Sequence, residues 1–359
     1  MTRGLSLTRR GVLSGLAAMP ATAALTGRAA AREAALTIYS WPDYFAPLSL
    51  DGFRKQSGVQ PVIATYESND AMFARLNSPA GTGFDIAVPS QAWVPQLAKR
   101  GLIEPLDHSR LDFSVITPGL LNREFDPGNA YSIPKDYGFL GILYDPEAVG
   151  MEIASWEDFF TAGAKPGVSG RVRMSGSGWE TIGPELWLQG LDWNSATNAQ
   201  IEAAGQRLIG FAKHIRSFSR LQAGDMANGT FVLATTDQGT ARRAIAMKPG
   251  LKWVLPAPVT ELWIDNYVIV KNAPNRDMAY AFLTYQLLPE VQVAATDYIG
   301  FPAPLEGLRG RLGADLTDAD MIFGGSVIDF SKVSSFVVNP DTIGTYMRVQ
   351  TEIQAAAAG

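Results

Sequence analysis

The apolar and polar positions along the chain alternate between strand-like and helix-like periods. Leu36-Thr37-Ile38-Tyr39-Ser40 forms a short run typical of a buried strand, and Leu48 to Gln56 follows with helical spacing and stops at Gly58, in the C-cap position. Val62-Ile63-Ala64-Thr65-Tyr66 predicts a second strand. Ser68 or Asn69 then caps a helix through Leu76, Asp85-Ile86-Ala87-Val88 predicts a third strand, and Gln91 to Lys99 predicts a helix ended by Gly101. This β-α-β-α-β order implies a parallel sheet covered on both faces. Open sheets of that kind hold ligands at the carboxyl ends of their strands, where Trp41, Ser68 and Ser90 fall. Residues 141–262 carry a helix over Asn198 to Phe211 and a strand over Phe231-Val232-Leu233-Ala234-Thr235, so a second α/β lobe is expected. The alanine-rich end, Ala355 to Ala358, is expected to fray.

Composition narrows the class. A chain of 359 residues that is 47% apolar has enough material for two domains. Residues 1–31 hold Arg3, Arg9, Arg10 and Arg28 but no acid, then a mildly apolar run from Gly11 to Leu25, then Ala29-Ala30-Ala31, which reads as a cleavable export signal. The Arg9-Arg10 pair suits the twin-arginine route better than the general secretory one. The apolar run is too short to span a bilayer and no later stretch is long enough, so a soluble, periplasmic mature chain is expected. The absence of cysteine excludes disulfides, thiolate chemistry and a lipidated N-terminal cysteine. Loss of residues 1–31 takes the formal charge from -5 to -9, a balance that disfavours nucleic acid and favours cationic ligands.

Catalytic chemistry has little support. His108 and His214 lie far apart in polar settings, so neither a histidine triad nor a two-histidine metal site is supported, and both read as surface residues. Ser175-Gly176-Ser177-Gly178 lacks the lysine of a phosphate loop and reads as a flexible loop. Carboxylates beside aromatics are more informative: Trp41 with Asp43 and Tyr44, Trp179 with Glu180, and Trp263 with Asp265. Ring faces attract an ammonium and a carboxylate fixes where it sits. Strand alternation puts Trp263 and Asp265 on one face of Leu262-Trp263-Ile264-Asp265-Asn266-Tyr267-Val268. Taken singly, each Trp also reads as core and each Asp as a turn or helix cap.

In order along the chain, Tyr39-Ser40-Trp41-Pro42-Asp43-Tyr44, Thr65-Tyr66-Glu67-Ser68-Asn69-Asp70, Asp85-Ile86-Ala87-Val88-Pro89-Ser90, Phe125-Asp126-Pro127, Tyr131-Ser132-Ile133-Pro134, Ser155-Trp156, Trp263-Ile264-Asp265 and Ile299-Gly300-Phe301-Pro302 resemble the periplasmic spermidine- and putrescine-binding proteins of ABC transporters. The resemblance runs from Leu36 to about Gln354 and implies a type II periplasmic-binding-protein fold: two α/β lobes joined by crossover hinge strands near Gly138 and Trp263. Residues 35–139 and 264–309 would form the first lobe, and 140–263 and 310–359 the second. It places the pocket on Trp41, Asp43, Tyr44 and Ser90, on Glu180 and Trp263, and on Asp265 and Phe301. A family tyrosine is Ala92 here, a family aspartate is Ser177, and a family tryptophan is Asp237. Asp237 reads equally as a helix N-cap or as a replacement for the acid missing at Ser177. Trp93 and Trp179 read as substitute pocket walls or as lobe packing.

The resemblance implies a monomeric, cofactor-free binding protein without a metal, not an enzyme. It would capture putrescine, spermidine or a related small cationic amine by lobe closure and deliver it to an inner-membrane ABC permease. The competing readings are the same fold with another solute, a sensor that presents its closed form to a membrane receptor, and a hydrolase using Glu180 with Asp265 or Asp237 as an acid/base pair.

Overall fold

Residues 35–312, 322–323 and 329–359 are described by a computed structural model, so the export signal expected over residues 1–31 lies outside the described residues. The first lobe begins as predicted: β1 (Leu36–Ser40), α1 (Pro47–Ser57), β2 (Pro61–Thr65), α2 (Asn69–Leu76), β3 (Ile86–Ala87) and α3 (Val94–Lys99). The three strands are parallel in the order β2-β1-β3. Gly58 ends α1 at φ 73, donating its N–H to Arg54 O, and Ser68 caps α2 by accepting from the Ala71 N–H. The second strand starts one residue earlier than expected because Pro61 opens it, a position an edge strand tolerates. The expected helix from Gln91 begins as a single 3-10 turn over Gln91–Trp93 before α3.

Two long strands then join the halves. β4 (Ser132–Tyr144) is buried along its whole length and, at about 3.3 Å per residue, reaches roughly 43 Å. It is followed by α4 (Pro146–Val149), α5 (Trp156–Gly163), β5 (Val172–Arg173), α6 (Gly178–Leu188), α7 (Asn198–Ala212), β6 (Ile215–Ser217), α8 (Ala223–Ala227), β7 (Leu233–Asp237), α9 (Gln238–Met247) and β8 (Lys252–Val254). The second long strand, β9 (Thr260–Ile269), leads to α10 (Arg276–Gln286), α11 (Pro289–Ile299), β10 (Val333–Ser334) and α12 (Ile343–Ala358). From Ser132 to Phe139, β4 pairs antiparallel with β9; from Leu140 to Tyr144 it pairs antiparallel with β7 instead. The full order is β2-β1-β3-β9-β4-β7-β5-β6, with β10 on β9 and β8 on β4.

The two largest cores follow that change of partner. Leu36, Ile38, Ile86, Phe139, Leu262, Ile264 and Phe282 belong to one; Leu140, Ile142, Trp156, Ile182, Leu208, Leu233 and Tyr346 belong to the other. Two expectations fail here. The strand expected over 231–235 lies at 233–237, because its ladder to β4 continues through Thr235, Thr236 and Asp237. The alanine tail does not fray: α12 continues through Ala358, since Tyr346, Val349 and Ile353 anchor it in the second core and alanine is the best helix former. Gly205 of α7 makes that packing possible, because a Cβ there would lie 2.1 Å from Val349 Cγ1.

Candidate ligand-binding site

Between the two cores lies a cavity of about 840 Å³. Trp41, Asp43, Tyr44, Ser90, Trp263, Asp265 and Phe301 line it together with Glu180 and Asp237. Alternation on β9 brings Trp263 and Asp265 to one face, while Leu262 and Ile264 point into the first core. Trp263 packs over Gly138 of β4, where a Cβ would lie 2.1 Å from the indole, and its ring meets Phe301 edge-on at 4.8 Å. Trp41 meets Tyr66 edge-on at 4.6 Å, and its indole N–H is buried without a partner among the described residues. Asp43 is exposed and holds φ 54, a left-handed position that aspartate tolerates better than most residues; this turn swings Tyr44 into the site.

Tyr44 connects two carboxyl groups. Its Oη lies 2.6 Å from Asp265 Oδ2 and 2.6 Å from Asp136 Oδ1, and Asp136 and Asp265 are directly opposed in the β4–β9 ladder. Lys135, itself 4% exposed, forms an ion pair with Asp136 Oδ2 at 2.6 Å, while its ammonium sits 3.7 Å from the centre of the Tyr44 ring. A phenol has one proton, so both Tyr44 contacts are hydrogen bonds only if one carboxyl keeps its own proton. Asp136 has the lysine, so below about pH 7 the proton belongs with Asp265. Consistently, burial first and the Asp136 charge second push the Asp265 carboxyl up to about 7, despite the Ser90 hydroxyl donating to Oδ1 at 2.5 Å. Ser90 is held in turn by Asn69, which donates to its Oγ at 3.0 Å.

The opposite wall comes from the second lobe. Glu180 lies in the first turn of α6, and burial raises its carboxyl even though Ser175 and the Arg173 guanidinium pull it down. Arg173, on β5, is 7% exposed and donates from Nε to Ser219 O at 2.8 Å and from Nη1 to Thr235 O. Glu261, on β9, is 3% exposed, and burial followed by the charge of Glu180 lifts its carboxyl well above the usual range. Asp237 caps α9 by accepting from the Thr240 N–H at 2.7 Å, and it also lines the cavity, so both of its readings survive. Arg220 and Arg243 stand exposed at the rim.

Some expectations do not meet at the cavity. Ala92 is 3% exposed and packs in the second core, and Ser177 sits at the N-cap of α6 with its Oγ buried and without a partner among the described residues; neither lines the cavity. Trp93 packs at 5.4 Å from Phe73 and Trp179 stacks flat on Phe336 at 4.7 Å, so both serve packing rather than the cavity wall. The segment from Ser175 to Gly178 is a tied strand-to-helix turn and not a flexible loop: Ser175 O accepts from Thr181 Oγ1, and Ser175 Oγ accepts from the Ser177 N–H. His108 is exposed, whereas His214 is partly buried, with Nδ1 2.8 Å from Ser169 Oγ. Among the described residues, no group of three His, Asp or Glu side chains is placed to hold a metal ion.

The sequence matches the bacterial extracellular solute-binding protein family over residues 49–318. It is 30% identical over 291 residues to the spermidine/putrescine-binding periplasmic protein of Escherichia coli K12, covering 80% of this chain and 82% of the relative. The chain belongs to this solute-binding family. A putrescine/agmatine-binding protein of Pseudomonas aeruginosa is 29% identical over 312 residues, 81% of this chain and 83% of that one. The substrate-binding protein of a spermidine/putrescine ABC transporter from Streptococcus pneumoniae superposes with a TM-score of 0.79 at 27% identity, over 90% of this chain and 99% of its own. This solute-binding protein therefore has the two-lobed type II fold. It also holds cavity residues that sequence reasoning missed: Arg173, Glu261, Arg220 and Arg243 line the cavity, and Lys135 and Asp136 lie behind it. Glu261 was within reach of the same strand alternation that found Trp263 and Asp265.

Proposed function

We propose that this chain is an exported receptor of an ABC transporter that captures a polyamine or related small cationic amine and presents it to a membrane permease. The observation that carries this reading is the β9 wall of the cavity, where Asp265 stands next to the Trp263 indole with Trp41 and Tyr44 close by. Each ring face attracts a desolvated cation by roughly 0.5–2 kcal/mol, and an ammonium can take over the charge balance that a proton supplies at Asp265. Five acids and three guanidinium groups line the cavity, and the acids whose carboxyls burial raises, Asp265, Glu261 and Glu180, can ionise where a ligand supplies positive charge, which suits a cation of more than one charge. Relatives named for spermidine, putrescine and agmatine point the same way.

In this reading residues 35–139 with 264–309 and residues 140–263 with 310–359 are the two lobes, β4 and β9 are the hinge, and the ligand favours the closed form by touching both walls. The protein works as a periplasmic monomer, binds without turnover and needs no cofactor. Among the described residues no helix is long and apolar enough to cross a membrane. The test is a thermal-shift screen of the purified protein against putrescine, spermidine, spermine, cadaverine, basic amino acids, sugars and phosphate, with calorimetry on each hit. A polyamine should raise the melting temperature and be recovered unchanged; stabilisation only by a sugar or an anion would overturn the reading.

A further inference from the structure

We infer that Glu261 is a specificity-determining carboxylate that forms, with Glu180, a second cation subsite, so that the preferred ligand is a linear polycation reaching from Glu261 to Asp265. Glu261, Trp263 and Asp265 occupy alternate positions of β9, and all three line the cavity. At 3.2–3.4 Å per residue their backbone positions place one acid about 13 Å from the other, with the indole midway. An extended spermidine covers most of that span, and an extended putrescine about half of it. This step rests on the amine reading and adds the length of the ligand to it.

Glu261 is also a buried acid of the cleft beside which no cation stands among the described residues. Asp265 shares its proton with Tyr44 in front of the Lys135–Asp136 pair, and Glu180 lies within the field of Arg173. Glu261 faces Trp179 and Gln91, which offer neutral hydrogen bonds, and Glu180, which repels it; its Oε2 is buried with no partner among the described residues. Burial without a cation keeps a proton on Glu261 in the unliganded fold, and an ammonium placed between Glu261 and Glu180 takes that proton's place. Ser177, where the resemblance has an aspartate, does not line the cavity, whereas Glu261 lines it from β9.

The test compares wild type with Glu261→Gln and Glu261→Met by calorimetry with putrescine, cadaverine, spermidine and a long-chain diaminoalkane, and by melting of the unliganded proteins. Expected is wild-type preference for the long ligands, a loss of about 10- to 100-fold for them in both variants, and a change of less than about threefold for putrescine. Both variants should melt no lower than wild type, because each puts a neutral side chain in place of a buried acid that has no cation beside it among the described residues. Equal losses for short and long amines, no loss at all, or variants that melt well below wild type would overturn the second subsite while leaving the amine reading in place. A wild type that binds no amine would overturn both.

Discussion

Two aspartates facing each other across a strand ladder repel, and here a lysine, a phenol and one proton hold Asp136 and Asp265 together. The sign of the resulting pH dependence follows from Asp265, whose carboxyl rises from 3.8 to about 7 on folding. The folded state then holds a proton that the unfolded chain has already lost. The contribution is fully present below pH 3.8 and disappears as the pH rises to about 7. Asp265→Asn, which is neutral throughout, should therefore stabilise the unliganded protein by on the order of 2–4 kcal/mol at pH 8, with the gain vanishing near pH 4. Urea unfolding at the two pH values measures it, and an equal gain at both would show that the proton is not where Tyr44 requires it. Because an amine needs the ionised acid, wild-type affinity should fall by up to about tenfold per pH unit below pH 7, as calorimetry across pH 5.5–8 would read. Parts of this site were legible in the sequence and parts were not. Trp41, Tyr44, Trp263 and Asp265 stand in recognisable order beside strand ends. Lys135, Asp136 and Arg173 look like surface charges until the structure buries them against each other or against backbone carbonyls.

At the scale of elements, most of the first lobe could be read directly, since α1 and α2 carry their stop and start signals at Gly58 and Ser68. What escaped were ladders that continue through polar residues. β7 runs on through two threonines to Asp237, and β9 begins at Thr260, two residues before its apolar stretch, which is why Glu261 went unread. Asp237 is the junction of a strand and a helix. Asp237→Ala should cost about 1 kcal/mol through loss of the α9 cap, whereas Asp237→Ser should keep it; chemical denaturation separates the two. If the serine variant also keeps its amine affinity, Asp237 serves the helix alone. Gly138 is the point where β4 passes beneath Trp263, and Gly138→Ala would force the indole off the strand. A loss of amine affinity of about tenfold or more is expected, together with changed tryptophan fluorescence; an unaltered titration would show that the ring's position does not matter.

Across the whole molecule, β4 contributes to both of the largest cores, β9 packs into the first of them, and the cavity belongs to neither core alone. Solution scattering should therefore show a smaller radius of gyration with a binding amine than without it, and an unchanged radius would mean that capture proceeds without closure. The threading of β4 through both cores has a consequence for synthesis as well. The core that starts with Leu36 needs residues as late as Leu287, and the core built around Leu140 needs Ile353 of the last helix. Neither can be completed while the ribosome still holds the segments it lacks. A chain of ordinary tandem domains acquires structure from its N-terminus as it emerges; this one must be almost fully made before its first core can close, and its folding waits on contacts between residues hundreds of positions apart.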